Sequence, residues 1–118
     1  MIDVKPFIAG TLSDIADVEL SFPDIAEELP VITLSETGND ALAVLSGKDR
    51  YSVITLQLDV YAEDALTVTQ LAGQVNSRLA ALGMKRSFSQ LITDGKFPRM
   101  CMRYRFGVDE ANGRVVTV

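Results

Sequence analysis

The sequence predicts an α+β fold: a mainly antiparallel sheet with two helices packed on one face. Three stretches carry that prediction. Residues 51–62 and 99–108 alternate with a period of two, the pattern of strands covered on one side. The residues after 64 repeat apolar positions at helical spacing, Val68, Leu71, Ala72, Val75, Leu79 and Leu82. The order of elements, with helix, small strands, long strand, helix and hairpin strands, suits helices segregated to one side of a sheet.

At the N-terminus Val4, Phe7, Ile8, Leu12 and Ile15 predict a short amphipathic helix, with Pro6 in its first turn. "VELSF" (Val18 to Phe22) alternates like a short strand, and Pro23 and Pro30 bracket an acidic connection. Val31 to Ser35 read as a strand ending at the turn signal "TGND", and Ala41 to Leu45 as a second short strand ending at "SGKDR". In the long strand, Ile54, Leu56, Leu58 and Val60 form the apolar face, while Tyr51, Val53, Thr55, Gln57, Asp59 and Tyr61 form a mixed one. Asp64 stands where the next helix begins and suits the positive end of its dipole. Thr67 with Gln70 offers a capping box should the helix start later. Gly83 fits a left-handed C-terminal cap. Met84 to Ile92 is expected as a strand closed by "TDGKFP". In the strand after it, Met100, Met102, Tyr104, Phe106 and Val108 alternate with Arg99, Cys101, Arg103 and Arg105. Asn112-Gly113 is a tight-turn dipeptide that allows "RVVTV" to return as a terminal strand.

Composition narrows the function. One domain spanning 1–118 is expected, with 47% apolar residues to fill its core. The chain has no histidine, which removes His-based metal sites, Ser-His-Asp triads and Cys-His pairs. A single cysteine removes any intramolecular disulfide and CxxC metal knuckle. A net charge of −5 does not suit a general nucleic-acid binder. No apolar run approaches the roughly 20 residues of a membrane span, and the N-terminus lacks a signal-peptide pattern, so a soluble cytoplasmic protein is expected. No cofactor is expected.

Two constellations remain. Asp59, Glu63 and Asp64 cluster at a strand–helix junction, where a carboxylate pair could serve acid–base chemistry. The simpler reading is that Asp64 caps the helix and Asp59 pairs with an arginine across the sheet. Arg99, Arg103 and Arg105 share one strand face with Lys96 nearby, and such a ladder could hold phosphate or nucleic acid. That strand face carries no interleaved aromatics for base stacking, which favours an ion-pair surface within the subunit or toward a neighbour. Cys101 and the methionines Met84, Met100 and Met102 read as packing residues.

The order of features resembles a known family. A helix leads to "LPVITL". Then "QLDVYAEDALTVTQLAGQVNSRLAALG" takes a strand ending in Asp-Val-Tyr-Ala into a helix ending in Leu-Gly. The arginine-alternating "MRYRFGVD" follows. Together they are similar to the tail-terminator, tail-completion or head–tail joining proteins of long-tailed bacteriophages and prophages. The resemblance implies a structural virion protein rather than an enzyme. Its subunits would form a ring, usually a hexamer, that caps the tail tube and meets the tail tube protein and the head connector. It would assemble in the host cytoplasm and end in the virion neck or tail, with duplex DNA passing through unbound. Tyr51, Gln57, Asp59 and Tyr61 on one strand and Arg99, Arg103 and Arg105 on the other are the candidate subunit contacts, as two patches meeting head to tail. The channel lining is expected to be acidic, from Asp24 to Glu28, Asp40, Asp49, Asp109 and Glu110. Two other classes stay open: a small enzyme using Asp59 and Asp64, and a monomeric binding module.

Overall fold

The computed structural model describes residues 5–19, 29–42, 51–109 and 115–116. Its centre is the antiparallel pair of β3 (Tyr51–Tyr61) and β5 (Arg99–Asp109), in unbroken register from Tyr51↔Asp109 to Tyr61↔Arg99. Outside β3 lies β2 (Val31–Leu42), antiparallel to it, and then β1 (Asp17–Glu19), parallel to β2. On the other side of β5 lies β4 (Lys85–Ile92), giving the order β1-β2-β3-β5-β4. The short β6 (Val115–Val116) pairs with Gly107 and Val108 of β5. Because β3 occupies one edge of β5 along its whole length, β6 continues beyond β4 on the other edge. Helices α1 (Lys5–Leu12) and α2 (Ala65–Ala81) complete the α+β fold.

Both helices cover the same face. The even residues Ile54, Leu56, Leu58 and Val60 of β3 and Met102, Tyr104, Phe106 and Val108 of β5 are all buried, as are Ile32 and Leu34 of β2. They form one cluster with Ile8 and Leu12 of α1 and with Ala72, Val75 and Leu79 of α2. Leu71 and Leu82 pack at its margin. Phe7 departs from the expected N-terminal stripe: it is 54% exposed, because Ile8 and Leu12, one turn apart, take the inward positions.

Local signals end α2 where expected. Asp64 is the N-cap, its Oδ1 accepting from the Thr67 backbone N–H at 2.7 Å. At the other end the Met84 N–H donates to the Leu79 carbonyl at 3.2 Å and the Gly83 N–H to the Ala80 carbonyl at 3.0 Å. Gly83 takes φ 89°, and Leu79 and Met84 are both buried in the core, which completes a Schellman motif. The chain then enters β4, parallel to β3 but separated from it by β5, so β3-α2-β4 is a split crossover.

Two expectations about strands are corrected. Residues 37–40 are not a turn, and β2 is a single strand of 12 residues. Thr37 is an extra residue between the pairs Glu36↔Leu56 and Gly38↔Thr55, and its hydroxyl donates to the Thr55 carbonyl at 3.2 Å. A glycine in a strand thus marks a bulge here instead of a reversal. The short strand near Val18 begins earlier, at Asp17, and residues 20–22 lie outside the described residues. So do residues 43–45 of the expected second strand, the "SGKDR" turn and Asn112-Gly113.

Candidate functional site

The face of the sheet turned away from the helices carries the candidate contact residues. Register sets Gln57 opposite Arg103, Asp59 opposite Cys101, Tyr61 opposite Arg99 and Thr55 opposite Arg105. Directly opposed residues of an antiparallel pair lie within side-chain reach, so this face can satisfy itself. Arg103 donates from Nε to Gln57 Oε1 at 3.3 Å, and Gln57 donates from Nε2 to Asp59 Oδ2 at 3.2 Å. Arg99 donates to Asp59 Oδ1 and to the Tyr61 hydroxyl, each at 3.4 Å, with its guanidinium 6.0 Å from the Tyr61 ring centre. The result is a continuous polar row, Arg103–Gln57–Asp59–Arg99–Tyr61.

Burial divides that row. Asp59 is 4% exposed and Tyr61 7%, whereas Arg103 and Arg105 are exposed and Gln57 and Arg99 are intermediate. Burial works against the Arg99 guanidinium, but the hydrogen bond to Tyr61 and the Asp59 charge outweigh it and its pKa is raised. Cys101 is buried beside Asp59. Burial and then the neighbouring carboxylate push its thiol pKa up, the opposite of nucleophile activation.

The two expected patches are therefore a single surface. A head-to-tail contact needs two different patches, and the mixed residues of β3 are instead internal partners of the β5 arginines. Asp59 and Tyr61 are buried within the subunit, while Arg103, although it also bonds Gln57, and Arg105 are exposed. Tyr51 sits at the end of β3 opposite Asp109.

The arginine face of β5 has no aromatic of its own, but the neighbouring strand supplies one. Arg103 lies 5.0 Å from the ring centre of Phe88, which is 37% exposed on β4. Parity along β4 would set Phe88 on the helix side with Arg86. Ser87 is an extra residue between the pairs Arg86↔Tyr104 and Phe88↔Arg103, and the bulge turns Phe88 over to the arginines. No residue type in "KRSFSQLI" announces that bulge. Lys85, opposite Arg105, joins the same basic face.

The junction carboxylates are placed apart in role. Asp64 is spent on the helix cap, and the Thr67 backbone N–H holds its carboxyl below the usual range. Asp59 is spent on Arg99 and Gln57. A cavity of about 840 Å³ lies along α2, lined by Thr11, Gln70, Gln74, Ser77 and Arg78 among others. Another of about 210 Å³ lies between α2 and β4, lined by Thr69, Asn76, Arg86, Ser89 and Met102 among others. Neither is lined by Asp59 or Asp64. Among the described residues no group of three Cys, Asp or Glu could hold a metal ion, and no helix is long and apolar enough to cross a membrane.

Of the expected channel residues, Asp109 is only 5% exposed, because the end of β5 lies between β3 and β6. It is not a lining group of this fold. Asp24 to Glu28, Asp49 and Glu110 lie outside the described residues, and Asp40 is placed only by its backbone, opposite Val53. In comparisons with known proteins, no family model and no curated protein matches the chain.

Proposed function

We propose that this chain is a structural subunit of a ring that caps a phage tail tube and joins it to the head connector. The observation that carries the reading is the one-sided sheet. Helices cover one face, while the other ends in exposed arginines beside a half-open Phe88 and an edge strand, β4, that is exposed at every residue but Ile92. Such a mixture of arginine, aromatic and polar groups suits protein contact, and it is polar enough for the free subunit to stay soluble. The resemblance in residues 29–34, 57–83 and 102–109 supplies the kind of assembly. The strand–helix junction between β3 and α2 serves as scaffold in this reading, since its carboxylates cap and pair.

Mass measurement across a wide concentration range, joined to electron microscopy of the same samples, tests the proposal. Closed rings of uniform subunit number, expected to be six, support it. A monomer at every concentration sinks it and favours the binding-module class.

A further inference from the structure

The two ends of the sheet are opposite in charge. β1 and β2 contain Asp17, Glu19, Glu36 and Asp40 and no lysine or arginine. β4 and β5 contain Lys85, Arg86, Arg99, Arg103 and Arg105, with Asp109 as their one carboxylate, and that residue is buried. Strand order sets the two groups at opposite edges, with β3 between them. At about 4.8 Å per strand, β1 and β4 lie roughly 19 Å apart, well beyond a Debye length of about 8 Å at physiological salt. Charges on β1 and on β4 are therefore largely screened from each other, and Asp17 at one edge and Lys85 at the other are both exposed.

We infer that the basic β4–β5 end of one subunit docks on the acidic β1–β2 end of the next copy. This rests on the ring reading above and names the surfaces that close the ring. Three observations favour a second copy over nucleic acid. The chain carries both halves of a complementary pair. They lie at opposite edges, so that one copy can offer each to a different neighbour, as a heterologous contact does. The whole chain is also acidic at −5, so DNA, with about one charge per 1.7 Å of axis, is repelled by the rest of the molecule. Asp17 is exposed on β1, and Lys85 and Arg105 are exposed beside each other at the basic end. Phe88 and Leu91 on β4, at 37% and 39% exposure, add apolar area to the contact. Neither the outer edge of β1 nor that of β4 has a strand partner among the described residues.

The test is a charge swap read by solution mass. One variant carries Lys85→Glu with Arg105→Glu, the other Asp17→Lys with Glu19→Lys. Each alone sets like charges against each other at every contact, and association weakens on the order of tenfold or more. An equal mixture of the two restores assembly, because each contact then joins opposite signs again. Melting curves of the separate variants check their folding. Should either variant fail to fold, the wild-type ring is titrated with salt, and dissociation as salt rises is the expected result. A ring whose mass ignores both reversals, or ignores salt, overturns the docking inference and leaves the ring reading intact. A wild-type monomer overturns both. Salt-sensitive binding of wild type to a short DNA duplex, lost in the Lys85→Glu, Arg105→Glu variant while its mass is unchanged, assigns the basic end to nucleic acid instead.

Discussion

The Tyr104 hydroxyl, at the centre of the sheet, donates a 2.7 Å hydrogen bond to Asn76 Oδ1 on α2. Tyr104 is fully buried and Asn76 half-buried, so the bond ties helix to sheet inside an otherwise apolar layer. Periodicity alone turns Asn76 away from the core. Its position beside the Val75 and Leu79 stripe instead lets it reach the one polar atom that β5 sends inward.

Two consequences follow for Tyr104. Tyr104→Phe should cost about 0.5–1.5 kcal/mol, measured by denaturant unfolding. Burial also pushes the phenol pKa from 10.0 up to about 12. A pKa raised by folding stabilises the native state fully below the unfolded value and is lost as pH rises through the folded one. Stability should therefore fall between pH 10 and about 12, and less so in Tyr104→Phe. An identical alkaline profile for the two proteins would contradict the burial argument.

Leu79 anchors both the core and the C-terminal cap of α2, being fully buried and accepting the Met84 N–H. Leu79→Ala should destabilise by about 2–5 kcal/mol. Leu66, 69% exposed on the same helix, serves as the control, and Leu66→Ala should stay within about 0.5 kcal/mol.

Arg78 binds both carboxylate oxygens of Asp14 at 2.6 and 2.7 Å and the Thr11 carbonyl at 2.9 Å, fastening the end of α1 to α2. The Arg78 hydrogen bond holds the Asp14 carboxyl below its usual 3.8. A depressed folded pKa means stability present above the unfolded value and lost as pH falls through the folded one, so this fastening should fail only in acid. Both side chains are substantially exposed, so the global effect of Asp14→Asn should be small and reduced by salt. Hydrogen exchange should instead quicken within Lys5–Leu12. Unchanged exchange there would show that core packing alone holds α1.

Arg103 and Asp59 belong to one polar row but should respond differently. Arg103→Glu alters an exposed group, so folding stability should shift by about 0.5 kcal/mol or less while association weakens. Asp59→Asn removes the charge that Arg99 and Gln57 meet inside the sheet, and should cost about 1–3 kcal/mol of stability. Lost stability with unchanged oligomer mass in Arg103→Glu would reverse the assignment of that residue.

The features legible in the chain were those set by near neighbours. Alternation in 51–61 and 99–109 predicts the faces of β3 and β5, because successive side chains in a strand must point oppositely. Asp64 and Gly83 mark the ends of α2, since capping bonds span only three to five residues. The apolar stripe of that helix is a matter of angle per residue. The pairing of Asp59 with an arginine was legible for a related reason: a carboxylate on the buried part of a strand needs a cation, and the next strand offers three.

Tertiary structure decided what depends on which strands become neighbours. Bulges at Thr37 and Ser87 turn one strand where two were expected and move Phe88 to the arginine face, and each depends on the partner's register more than on local composition. The insertion of β5 between β3 and β4 made one self-paired surface of two supposed patches. It also left acidic strands at one edge and basic strands at the other. Charge can be counted along a chain, but its separation exists only once strand order is set, because order fixes the distances over which charges are screened or felt.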